Sequence, residues 1–172
     1  MIRKYKWTEV TNLAFKYRLS LLILSLVVVL LDQVTKAFAR KHLIFQHVKT
    51  FMKFWDWTLI YNEGAAFNFL AAQGGWQKIF FIIISFVVAI FLIYYILKKP
   101  YSIMTGVAFS YILGGAIGNL IDRLVAGKVT DFIYWHIGPH YWPAFNIADS
   151  FVCIGVTLIV IESIFFNKDL KK

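Results

Sequence analysis

Four long apolar stretches divide the chain, and most polar residues fall between them. They cover about residues 19–38, 76–97, 101–125 and 145–166, the first opening LSLLILSLVVVLL. A helix rises 1.5 Å per residue, so about 20 residues cross the ~30 Å hydrocarbon layer, and each stretch predicts a transmembrane helix. No alternating ten-residue series suggests a barrel, which leaves the helix as the form that satisfies its own backbone in lipid. A shorter period of two occurs between the first and second stretches. Trp55, Trp57, Leu59 and Tyr61 alternate with Asp56, Thr58 and Ile60, which predicts a short strand, and Asn62-Glu63-Gly64 predicts a turn after it. Val129-Thr130-Asp131-Phe132 also has an extended character. Trp135, Trp142 and several tyrosines read as a membrane-interface belt.

Composition agrees with this pattern. Of 172 residues 60% are hydrophobic and 16% charged, against about half and a quarter in soluble domains. Mean hydropathy is +0.68. The expected organisation is one membrane domain over residues 1–172, all-helical, with four spans and longer connections at about 39–75 and 126–144. The net charge of +9 would raise nucleic acid in a soluble protein. Here the cations flank apolar runs, so they read as orientation signals and no nucleic-acid partner is expected. Ten of the 18 basic residues lie in the N-terminal arm, at Lys98-Lys99 and in the C-terminal tail, which predicts cytoplasmic termini and outward-facing longer connections. Arg40, Lys41, Lys49 and Lys53 make that bias incomplete. A cleaved signal peptide over residues 1–39 is an alternative reading, though Asp32 to Lys36 is a poor approach to a cleavage site.

Acids beside apolar spans are costly and point to function. At 1.5 Å per residue Asp32 lies about 21 Å past Arg18, Asp122 about 32 Å past Tyr101, and Asp149 about 27 Å before Asn167. Asp131 follows the third span closely. All four therefore converge near the outer boundary from three different helices. Each also has a plainer reading. Asp32 and Lys36 are spaced i,i+4 and could form a helix-surface ion pair. Arg123 could reach the headgroups with Asp122 bound to it. Asp149 could be a helix-start acid.

Other chemistries fit less well. His136 and His140 are separated by Gly138-Pro139 and lack the H-E-x-x-H pattern. Ser150 has no legible Lys or His partner. Cys153, the single cysteine, excludes an internal disulfide and a Cys-based zinc cluster, and reads as a small core residue. Gly106, Gly114, Gly115 and Gly118, with Ala108 and Ala116, form a face suited to close helix packing. What remains is a pair of carboxylates able to share one proton, as in aspartic proteases. The same acids would suit a carboxylate-coupled transporter, and the glycine face an assembly partner.

The motifs discriminate among these. Asp32-Gln33-Val34-Thr35-Lys36, Asn62-Glu63-Gly64-Ala65-Ala66-Phe67, Gly114-Gly115-Ala116-Ile117-Gly118-Asn119-Leu120-Ile121-Asp122-Arg123, Val129-Thr130-Asp131-Phe132 and Phe145-Asn146-Ile147-Ala148-Asp149-Ser150 occur in that order. Together they resemble the five motifs of the lipoprotein signal peptidase (signal peptidase II) family. The first motif falls inside residues 1–39 and so argues against a cleaved leader. The resemblance implies a bacterial inner-membrane, multi-pass aspartic endopeptidase with four transmembrane helices, a small extracytoplasmic β-cradle and a short surface helix from the first outer connection. It implies Asp131 and Asp149 as the catalytic pair. Asp32, Lys36, Asn62, Gly64, Asn119, Asp122, Arg123, Asn146 and Ala148 are implied as supporting or substrate residues. The implied substrate is a diacylglyceryl-modified prolipoprotein held in membrane lipid, cut before its lipidated cysteine, and the implied inhibitor is the cyclic peptide globomycin. A monomer is expected, with no metal or cofactor.

Overall fold

The computed structural model describes residues 7–64 and 76–165, the side chains of residues 7–14 excepted. Four helices dominate it: α1 (Trp7–His42), α2 (Trp76–Lys98), α3 (Ile103–Val125) and α4 (Ile147–Phe165). Each carries a segment long and apolar enough to cross a membrane, that of α1 being Phe15–His42. The chain is therefore a multi-pass membrane protein. α1 starts well before its apolar stretch, since nothing in the preceding residues breaks a helix, and its 36 residues extend about 54 Å. α2 stops short of Pro100, which cannot continue a helix. Ser102 then starts α3, its hydroxyl accepting the Thr105 N–H at 3.0 Å, the usual N-cap bond.

The packing is that of a protein in lipid. Ile79, Ile83, Val87 and Ile90 of α2 face outward, and its buried residues are Gln77, Ala89, Leu92 and Ile96. Apolar surface gains nothing by leaving lipid, so small residues and polar ties hold the helices together. α3 occupies the centre and packs on the other three helices. A Cβ on Gly114 would stand 2.6 Å from the Val28 Cβ of α1, and one on Gly115 would stand 2.5 Å from the Ala148 carbonyl oxygen of α4. The glycine face is thus two seams, one for each neighbour. At one end of the α3–α4 pair, Thr105 Oγ1 donates to Glu162 Oε2 at 2.5 Å.

A four-stranded antiparallel sheet sits at the other end, in the order β1 (Lys49–Met52), β2 (Trp55–Asn62), β3 (Val129–Ile137), β4 (His140–Tyr141). β2 is the strand its alternation predicts, but its buried positions include Asp56 and Thr58, while Trp55 and Trp57 are only half-buried. An irregularity between Trp57 and Ile60 shifts the pairing, and Leu59 is buried beside Thr58. The indoles suit a half-wet surface, and Asp56 is held by the Tyr141 hydroxyl at 3.1 Å. The Asn62-Glu63-Gly64 turn forms as read, with the Gly64 N–H donating to Asn62 Oδ1 at 2.9 Å. The short surface helix expected in the first connection is not among the described residues; residues 65–75 of that connection lie outside them. Gly127, at φ +76°, turns α3 sharply into β3. That left-handed conformation favours glycine, and it delivers Asp131 within four residues of the turn.

Candidate active site

The site forms where the sheet meets the ends of α1, α3 and α4. On α1, Ser25, Val28, Asp32 and Lys36 recur at helical spacing and all are buried. Asp32 and Lys36 are therefore not a helix-surface pair. Both side chains are fully buried, with Lys36 Nζ 2.8 Å from Asp32 Oδ2 and 3.4 Å from Asp122 Oδ2. Lys36 also donates to Asn119 Oδ1 at 2.8 Å. Gly118 makes this possible, because a Cβ there would lie 2.6 Å from Asp32 Oδ2. The other oxygen of Asp32 accepts the Ala148 N–H at 3.0 Å. One α1 carboxylate thus satisfies an open donor at the start of α4.

Asn146 starts α4. Its Oδ1 accepts the Asp149 N–H at 3.0 Å, and its own N–H donates to Asp149 Oδ2 at 3.2 Å. This reciprocal pairing is a capping box with Asp in the acidic place. The plain reading of Asp149 as a helix-start acid is thus correct, and it does not exhaust the residue. Asn119 Nδ2 donates to Asp149 Oδ1 at 2.8 Å, from the third helix.

Asp131 comes from β3 and is 2% exposed. Asn146 Nδ2 donates to its Oδ1 at 2.7 Å and Asn62 Nδ2 to its Oδ2 at 3.3 Å. Burial, and then the carboxylate of Asp149, push the Asp131 carboxyl up to about 8, against the pull of these two amides. The side chain and backbone of Asn146 therefore hold Asp131 and Asp149 at once.

Both acids line one cavity of about 560 Å³. Its polar wall includes Asn62, Asn119 and Arg123; its apolar wall includes Trp135, Trp142, Phe145 and Ile154. Arg123 does not extend toward headgroups. It is 7% exposed, and its Nη2 donates to the Gly64 carbonyl at 2.9 Å. Its guanidinium also lies 5.3 Å from the Phe81 ring centre. Asp122 turns instead to the Thr130 N–H at 2.9 Å, with Arg40 Nη1 at 3.7 Å. It ties the first residues of β3 to α3. Both side chains are thus buried where the end of α3 meets the sheet.

Residue type alone passed over Gln33 and gave Trp135, Trp142 and Cys153 other roles. Gln33 Nε2 donates to Asp32 Oδ2, the Gly118 carbonyl and Asp122 Oδ1 at 3.1, 3.0 and 3.4 Å. An amide inside an apolar helix is the signal that could have found it. Trp135 and Trp142 belong to the cavity wall rather than only to an interface belt. Cys153 is exposed and lines the cavity one turn below Asp149, so it is not a core residue. Among the described residues no three His, Cys, Asp or Glu side chains cluster as metal ligands. His136 instead pairs with the Gly138 carbonyl and faces Asp56 at 3.5 Å.

Four helices capped by a small sheet, with buried acids beneath it, define a membrane-embedded enzyme. Two solved bacterial membrane enzymes share the architecture. One has a TM-score of 0.77 at 35% identity over 89% of this chain and 92% of its own. The other has a TM-score of 0.74 at 34% identity over 87% and 94%. The family described as Signal peptidase (SPase) II matches residues 24–165, and the chain belongs to that family of peptidases. Relatives named lipoprotein signal peptidase include that of Neisseria gonorrhoeae, 43% identical over 87% of this chain and 92% of its own length. Those of Acinetobacter baumannii and a Janthinobacterium species are 42% and 46% identical, covering 92% and 80% of this chain and 90% and 84% of their own lengths.

Proposed function

We propose that this chain cleaves the signal peptide from diacylglyceryl-modified prolipoproteins, N-terminal to the lipidated cysteine, with Asp131 and Asp149 as the catalytic dyad and water as nucleophile. The observation that carries this is the joint hold of Asn146 on both carboxylates inside one cavity. Two facing acids cannot both ionise cheaply, so they share a proton. Asp131, whose carboxyl burial pushes up, holds it and donates to the scissile carbonyl oxygen. Asp149, which accepts from Asn119 and the Asn146 N–H, draws a proton from the attacking water. Asn62, Asn119 and Asn146 add donors and acceptors without adding charge. Asp32, Lys36, Asp122 and Arg123 hold the three helices and the sheet in register around them, with Ala148 and Gly64 as backbone partners.

The depth of the site suits a substrate that cannot leave the bilayer, each buried CH₂ contributing ~0.8 kcal/mol. The cavity continues along Ser150, Cys153 and Ile154 of α4, an apolar route for acyl chains. The basic bias orients the sheet outward from the bacterial inner membrane with both termini in the cytoplasm. In this reading the chain acts as one domain and as a monomer, and globomycin binds over the dyad. The test is cleavage of a lipidated precursor peptide by the purified chain in detergent. Wild type is expected to cut it, and to cut an acyl-free version far more slowly. Asp131→Asn and Asp149→Asn should each lose turnover by three orders of magnitude or more, and the double variant should be little worse, because the pair acts as a unit. Normal turnover in either single variant overturns the dyad.

A further inference from the structure

A second cavity, of about 550 Å³, lies at the far end of the sheet between the β1–β2 and β3–β4 turns. Phe54, His136, His140 and Tyr141 line it, and it shares Trp135 and Trp142 with the cavity of the aspartates. The two spaces therefore lie on either side of the same pair of indoles. Trp135 projects from the same face of β3 as Asp131, four residues further on, which in an extended strand is about 13 Å.

The walls are braced from below. Tyr141 donates to buried Asp56 at 3.1 Å and stacks on Tyr134 at 4.5 Å and on His136 at 4.8 Å. The His136 ring donates through Nδ1 to the Gly138 carbonyl at 3.1 Å and presents Nε2 to Asp56 at 3.5 Å. The Trp142 backbone N–H donates to the Trp135 carbonyl at 2.8 Å, which ties together the two stretches of backbone that carry the shared rings. A cavity built this way meets a ligand without first having to order its walls. β3 has no free edge near it. β2 pairs on one side, and Trp142 and Phe145 bond to the other. A peptide passing here cannot add as a strand, so recognition falls to side chains entering the cavity.

Resting on the proposed function, we infer that this distal aromatic cavity is a substrate subsite for the mature side of the precursor. It takes an apolar or aromatic side chain about the third to fifth residue after the lipidated cysteine. The signal peptide runs down into lipid, so the chain beyond the cysteine leaves along the sheet. Four extended residues span the distance from Asp131 to Trp135. The lining is mostly aromatic, and the carboxylate of Asp56 beneath it is buried and already held by Tyr141, so it favours an apolar side chain over a charged one.

Three lipidated precursors test this with the intact enzyme. One ends two residues after the cysteine, one continues for eight with Phe at the fourth and fifth positions, and one carries Asp at those positions. The long aromatic precursor is expected to show a KM about tenfold lower than the short one at similar kcat, and the Asp version should match the short one. Phe54→Ala, which alters only the distal cavity, should erase the advantage. Equal KM for all three, or an advantage that survives Phe54→Ala, overturns the subsite while leaving the peptidase intact. Failure to cut any of the three overturns the proposed function itself.

Discussion

Asn146 fixes the spacing of the two acids, because its amide meets Asp131 while its backbone meets Asp149. The protonation of Asp131 has a consequence for stability as well as chemistry. Its carboxyl ionises near 3.8 in the ordinary case and about 8 here, through burial and then the charge of Asp149. Between those values the native state keeps a proton that the unfolded chain has released. Stability from this group is therefore full below about pH 4 and is lost as pH rises toward 8. Thermal unfolding in detergent should show wild type losing Tm between pH 5 and 8.5. Asp131→Asn has no proton to release; its profile should be flatter and it should be the more stable protein above pH 8. The opposite slope would mean that Asp131 is ionised in the native state. The sequence made the residue types and their approximate depth legible. It did not distinguish an exposed from a buried Asp32–Lys36 pair, because i,i+4 spacing is identical in both, and in lipid the apolar face of a helix points outward.

At the scale of elements, Lys36 is the pin of the bundle. It joins Asp32 on its own helix to Asn119 and Asp122 on α3. Replacing it by Met leaves two buried carboxylates without that cation, and removing one partner of a buried pair costs about 3–5 kcal/mol. Lys36→Met should therefore unfold at markedly lower temperature, and restoring the charge with Arg should not rescue it fully, since a planar fork does not fit a site built around an ammonium. Unchanged thermal stability in Lys36→Met would remove this role. The four helices were readable from the length of their apolar stretches, and the strand at Trp55 from its period of two. The sheet's buried polar positions were not, since the irregularity after Trp57 changes which side chains face inward. Nor was the route of Arg123, because its partner is the backbone carbonyl of Gly64, 59 residues away in sequence.

At the scale of the molecule, the charge bias predicts the sheet outside and the Lys98–Lys99 connection inside. In a Cys153→Ser background, Lys53→Cys on intact cells should react with an impermeant maleimide and Lys99→Cys should not; the reverse pattern would invert the topology. The placement of the cavity then bears on energetics that peptide hydrolysis does not usually raise. It reaches Ile154, seven residues into α4, or about 10 Å, while the opposite end of the α3–α4 seam is closed by the Thr105–Glu162 tie. In the proposed mechanism water and protons then enter and leave from the same compartment. No charge would cross the bilayer's electric field during a turnover, so the membrane potential would do no work on the reaction. In sealed vesicles, collapsing the potential with an ionophore should leave the cleavage rate unchanged, and a rate that tracks the potential would place a proton route through the closed end of the bundle.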